Sequence, residues 1–268
     1  MPGEITAREL IERIQSHLGV PWKSSGVDGF VAGSPETPVK GIATAFAPTV
    51  EVLRRAAAAG RNLIVSRESA FYNHASPRRP PDDDPVCRFK QDFIARNNLV
   101  VWRFADNWQA RAVDGQLQGL AAALGWEQYH QSGAGAHAFC KLPPATLDAM
   151  AKTIQSRLKL QALRVIGEPQ TKVSKAALLH GLLSVPALQK ILTEPDVDLV
   201  VAGEVVEWEA GPYFEDVIAS GRKKGMILLG QEASEEPGSG AVADWVRSFV
   251  PEVPVEWIPA GEPFWVLK

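Results

Sequence analysis

The chain has 268 residues, 46% of them hydrophobic and 22% charged, with a formal net charge of −3. That size suits one large domain or two smaller interlocked ones, and the charge balance gives no general attraction to nucleic acid or to an anionic membrane surface. No apolar stretch approaches the roughly 18 residues that a membrane-spanning helix needs. The two cysteines, Cys87 and Cys140, belong to no C-x-x-C pair. This argues against a disulfide framework or a thiolate metal site and fits a reducing, cytoplasmic location. The start, Met1-Pro2-Gly3-Glu4, shows no basic segment leading into an apolar run, so no secretory leader is expected there.

Helical and strand patterns alternate along the chain, which predicts an α/β protein. Thr6-Ala7-Arg8-Glu9 is a capping-box start, with Leu10, Ile11, Ile14 and Leu18 at helical spacing behind it. His17 falls near the end of that helix, where a cation is favourable, and reads as a surface residue. A strand is predicted over 39–46, then a helix capped by Thr49 and stopped at Gly60, then a strand over 62–66. Residues 75–85 hold four prolines and five charges, which predicts an exposed connection, with a lid as the alternative. Asp84-Pro85 opens a helix in N-cap and N1 order, and a strand over 99–104 follows.

The expected elements continue with a helix over 117–124 and a strand over 136–142, with Pro143-Pro144 starting the next helix. His130 and His137 flank Gly133-Ala134-Gly135, read as a plain hairpin turn. A strand over 163–166 precedes a helix over 175–192, interrupted near Pro186, in which His180 is a packing residue. Then come a strand over 197–202, a helix over 212–223, a strand over 225–230, a helix over 241–249 and a final strand over 253–258. Most of the eight tryptophans are expected in the core. Arg103, Arg111, Lys223 and Lys224 are read as solvated surface charges, with positive charge for an anionic ligand as the alternative. No G-x-G-x-x-G or P-loop fingerprint is present, and no Ser-His-Asp or Cys-His arrangement is recognisable.

Three apolar runs end in acidic residues. Asn62–Ser66 leads into Arg67-Glu68, Leu99–Phe104 into Ala105-Asp106, and Gly225–Gly230 into Gln231-Glu232-Ala233-Ser234-Glu235-Glu236. Ligands of open α/β sheets bind at the carboxyl ends of strands. Carboxylates gathered there need a counter-charge, because an unpaired buried ion is costly.

Several motifs occur in order: Val27-Asp28-Gly29-Phe30-Val31-Ala32-Gly33, Gly41-Ile42-Ala43-Thr44, Ser66 to His74, Gly203-Glu204, and Gly230 to Glu236. Together they resemble the NGG-interacting-factor-three-like family, whose members are also labelled dinuclear-metal-centre hexameric proteins or GTP cyclohydrolase I type 2 homologues. The resemblance implies two interlocked α/β domains, here 1–130 and 131–268 with halves that can interleave, and a site in the cleft between them. It also implies a homo-oligomer, a hexameric ring, around a pair of divalent metals. The implied ligands are a histidine with a second His or Glu after the strand at 62–66, an Asp after the strand at 99–104, and a His and a Glu four residues apart after the strand at 225–230.

This sequence departs from that pattern. Arg67 stands at the first histidine position and Gln231 at the His preceding Glu235, while Ala105 occupies a place where relatives carry a histidine before Asp106. An arginine cannot be a ligand. What survives is oxygen-rich: Glu68, Asp106 and Glu235, with His74 beside them and Glu204, Glu207 or Glu232 in reserve. Two outcomes follow. A single divalent ion (Mg²⁺, Mn²⁺, Ca²⁺ or Zn²⁺) can bind weakly through the carboxylates, or the Arg67 guanidinium replaces the metal by pairing with Asp106 or Glu235. The second is favoured, since a cation at a ligand position repels a metal a few ångströms away.

Two functions are therefore carried forward. One is a non-catalytic or ligand-binding ring protein with a degraded metal site, whose partners are further copies of itself and a small anionic ligand. The other is a metal-dependent hydrolase or cyclohydrolase acting on a nucleotide-like molecule, with Glu68 or Glu235 as ligand or general base.

Overall fold

A computed structural model describes residues 4–74, 83–131 and 137–267, the side chains of 130 and 131 excepted. Most of the Pro-rich connection and the Gly133-Ala134-Gly135 turn lie outside the described residues. The chain divides into two units, 1–115 with 238–260 and 116–237 with 261–268.

The first unit begins with α1 (Ala7–Ser16), whose Thr6–Glu9 capping box closes as the sequence predicts. It continues with β1 (Gly29–Ala32), β2 (Ile42–Ala45), α2 (Val50–Ala58), β3 (Leu63–Ser66), α3 (Pro85–Arg96), β4 (Val100–Arg103) and the short α4 (Asp106–Gln109). Thr49 and Asp84 accept backbone N–H groups at the starts of α2 and α3. The second unit carries α5 (Gly115–Leu124), β5 (His130–Gln131), β6 (His137–Thr146), α6 (Leu147–Leu158), β7 (Arg164–Ile166), β8 (Lys172–Leu179) and β9 (Leu182–Leu183). After these come α7 (Val185–Thr193), β10 (Leu199–Ala202), β11 (Glu204–Val205), α8 (Glu207–Ala219), β12 (Gly225–Leu228) and α9 (Gln231–Arg247). The second half of α9 and β13 (Val255–Trp257) return to the first unit.

The sheet of the first unit runs β1-β4-β3-β2-β13, parallel except where β1 meets β4. Its strands are apolar on both faces, as a parallel sheet covered on both sides requires. Leu63, Val65, Val100 and Trp102 pack with α1 and the end of α9, whereas Ile64, Val101, Ala43 and Ala45 pack with α2 and α3. The sheet of the second unit runs β5-β6-β8-β10-β12-β7, with β8, β10 and β12 parallel in its centre. Leu178, Leu199, Val201 and Ile227 face α5 and α6, while Ala177, Val200, Ala202 and Met226 face α7 and α8.

Four sequence expectations are corrected. The helix expected over 175–192 is the strand β8 followed by β9 and α7, because Ala176 to Leu179 are buried in the sheet and that burial overrides the helical propensity of Ala and Leu. Pro143-Pro144 do not start a helix. β6 runs through them to Thr146, which caps α6, and the proline pair sits in a shift of register between Lys141 and Ala145, where no ladder N–H is needed. α8 begins at Glu207 rather than Pro212, and α9 begins at Gln231 rather than Ala241. Among the described residues no helix is long and apolar enough to cross a membrane.

Candidate functional site

In the first unit, β3 and β4 lie side by side with Ser66 opposite Arg103, so their carboxyl ends deliver Arg67-Glu68 and Arg103–Asp106 to one place. Arg103 is fully buried. Its Nε donates to Arg67 O at 3.1 Å, Nη1 to His74 O at 2.9 Å and Nη2 to Glu68 Oε2 at 3.1 Å. Arg67, also buried, donates from Nη1 to Glu68 Oε1 at 3.1 Å and from Nη2 to Gln109 Oε1 at 3.4 Å. Each oxygen of Glu68 thus holds a guanidinium. Burial works against the Arg103 charge, and Glu68 is the strongest opposing influence.

His74 Nδ1 lies 2.9 Å from Arg103 Nη2 and 3.2 Å from Glu68 Oε2. Nδ1 thus faces both a guanidinium, which only donates, and a carboxylate, which only accepts. Asp106 opens α4, and its Oδ2 accepts from Val27 N at 3.1 Å. Asp28 gathers the N–H groups of Ala105, Asp106 and Asn107 together with Asn107 Nδ2, all at 3.1 Å or less. Gly26 is required here: its φ is +125°, and a Cβ would stand 2.4 Å from Asp106 Oδ2.

In the second unit, the carboxyl ends of β8, β10 and β12 bring together His180, Gly203 and the first turns of α9. His180 Nδ1 and Glu235 Oε1 are 2.9 Å apart, with the side chains 4% and 2% exposed. Ser234 Oγ accepts from Gly181 N at 2.9 Å and donates to Gln231 O at 2.7 Å. Gly203 has no room for a Cβ, which would lie 2.5 Å from both Gly181 O and Ser234 Oγ. Glu232 is pushed up to about 7 by its own burial and then by Glu236 and Glu262. Glu204 is exposed, and Glu207 pairs with Arg164 at the surface.

A protein-family model described as Duf34/NIF3 (NGG1p interacting factor 3) matches residues 5–260. The chain belongs to the DUF34/NIF3 family. A curated relative, the GTP cyclohydrolase 1 type 2 homolog of Chlamydia pneumoniae, is 24% identical over 246 residues, covering 89% of this chain and 91% of that protein. Among solved structures, Staphylococcus aureus protein SA1388 has a TM-score of 0.79 at 15% identity, covering 99% of this chain and all of that one. A Bacillus cereus protein related to NIF3 has a TM-score of 0.77 at 15% identity, with the same coverage. These structures share the fold.

Of the residues singled out from the sequence of this DUF34/NIF3 protein, Arg67, Glu68 and His74 meet directly. Asp106 stands at the same strand ends and acts on Arg103 through its charge. Gln231 and Glu235 lie in the second unit, linked through Ser234 and His180 respectively. Sequence reasoning missed three residues. Arg103 was visible as a lone charge inside the apolar run Val100–Phe104, a placement that signals a buried partner. His180 was hidden by the mistaken helix. Asp28 was noted within a motif, but its role in holding the start of α4 could not be read from spacing. Arg111 and Lys224 are also not solvated surface charges: Arg111 lies over the rings of Trp108 and Trp245, and Lys224 is buried with its Nζ on Val197 O.

Proposed function

We propose that in this protein the Arg67 and Arg103 guanidiniums supply the positive charge that a divalent metal supplies in the family resemblance, and that the protein is a non-catalytic, ligand-binding member that assembles as an oligomeric ring. The observation that carries this reading is Glu68, whose two oxygens each accept from a different buried arginine. Each oxygen is thereby engaged in a charge-assisted hydrogen bond to a cation that would also repel a metal ion.

The residues of the first unit do not fit a metal pair. Arg67 has no lone pair, Ala105 has no donor atom, and His74 directs Nδ1 to Arg103. Among the described residues there is no group of three or more His, Cys, Asp or Glu arranged to hold a metal ion. A small anionic ligand is the partner class carried over from the sequence, and the hexamer rests on the resemblance alone.

A second reading is a hydrolase or cyclohydrolase for a nucleotide-like molecule with one carboxylate-bound divalent metal. It draws on the name of the Chlamydia pneumoniae relative and on the His180–Glu235 pair, an imidazole oriented by a carboxylate in the manner of a general base.

The test is the double variant Arg67→His with Gln231→His. It is expected to bind Zn²⁺ or Mn²⁺ stoichiometrically in equilibrium dialysis while the wild type binds neither. Failure of the double variant to gain metal would remove the link between these positions and an inherited site.

A further inference from the structure

The segment that carries Arg67, Glu68 and His74 also contains two features that each oppose folding, and both converge on Tyr72. Its backbone has φ of +62°, a left-handed conformation in which a Cβ crowds its own carbonyl. Such positions persist only where the surroundings enforce them, and they cluster at functional sites. Beneath the ring lies Lys90 of α3, 1% exposed, whose Nζ sits 4.6 Å from the ring centroid and donates to Ala70 O at 2.5 Å. Burial draws the Lys90 ammonium down to about 8, so a cation is kept there against its own hydration.

The ring itself is 64% exposed, and Asn73 and His74, both exposed, follow it in the chain. Its inner face is therefore occupied by a cation, and among the described residues nothing is seen stacked on its outer face. An ammonium on one face draws π density towards itself and leaves the other face electron-poor, the complement of an electron-rich ring in stacked contact. A tyrosine needed only to shield Lys90 would be expected to lie buried over it in relaxed backbone.

We propose that Tyr72 is a stacking platform for a planar, electron-rich heteroaromatic ring in the ligand of this protein. The inference rests on the ligand-binding half of the proposed function and is independent of its metal half, since metal uptake is read with different variants.

The experiment is saturation-transfer NMR and equilibrium dialysis of the full chain with adenosine as the probe and ribose as the control, comparing wild type, Tyr72→Phe and Tyr72→Gly. Adenosine is expected to bind where ribose does not, Tyr72→Phe to keep its affinity within about twofold, and Tyr72→Gly to lose roughly tenfold or more. Thermal melting of Tyr72→Gly is expected to stay close to wild type, because glycine adopts this φ freely. Absence of adenosine binding, equal binding of ribose, unchanged affinity in Tyr72→Gly, or collapse of that variant's melting temperature would each overturn the proposal.

Discussion

At the scale of single residues, Glu68 is the pivot of the first unit. Its carboxylate is shared by Arg67 and a fully buried Arg103, and the side chain itself is 19% exposed. Glu68→Gln leaves two buried cations facing a neutral amide. Removing one partner of a buried pair costs about 3–5 kcal/mol, so the variant should melt markedly lower than wild type in a calorimetric scan. A change of less than a degree or two would mean that the arginines are held by other groups. Gly115 offers an independent check. A Cβ there would stand 2.2 Å from the indole of Trp108, itself 1% exposed, so Gly115→Ala should destabilise by about 1–3 kcal/mol, measured by denaturant midpoint. Arg67, Glu68, Asp106 and Glu235 were legible in the sequence because each follows an apolar strand run. Lys90 was not, because a long cationic side chain looks the same in sequence whether its head meets water or a buried partner, and Arg103 carried only the signal of its place inside an apolar run.

At the scale of elements, periodicity located most strands of both sheets but not β1, the two-residue β5 or β8. The miss at β8 matters because it hid His180. Ala176, Ala177, Leu178 and Leu179 favour a helix locally, and only their burial between neighbouring strands fixes them as a strand. The helices α8 and α9 were started too late: the first was begun at Pro212 and the second at Ala241, yet Pro212 and Pro237 both lie inside helices. In α8, Ala210, Phe214 and Val217 are buried on one face, and that packing outweighs the lost hydrogen bond.

The first turn of α9 makes a prediction of its own. Glu232 titrates near 7 in the folded chain, above its ordinary 4.5, because burial and then Glu236 and Glu262 disfavour its charge. A raised folded pKa means that the native state holds more protons than the unfolded chain between those values. The contribution is therefore full below about pH 4.5 and is lost as pH rises through 7. Glu232→Gln should flatten the fall in melting temperature between pH 5 and 8. A slope identical to wild type would show that Glu232 is not the titrating group.

At the scale of the whole molecule, each unit has a sheet covered by helices on both faces, and each collects its polar residues at the carboxyl ends of parallel strands. That is where ligands of such sheets bind, so the acidic members of both clusters were readable from the apolar runs they follow, while His180 was not. What fills them was not. The family resemblance implies metals, whereas in the first unit the side chains present compensate their own charge. The most direct measurement is elemental analysis of the purified wild-type protein before and after incubation with Mn²⁺, Zn²⁺ and Mg²⁺, with melting followed in parallel. A ligand that binds only the native state raises its stability by mass action. If Arg67 and Arg103 hold the counter-charge, the protein carries no stoichiometric metal and its melting temperature does not move. Stoichiometric metal together with a raised melting temperature would contradict that claim and restore Glu68, Asp106 and Glu235 as ligands.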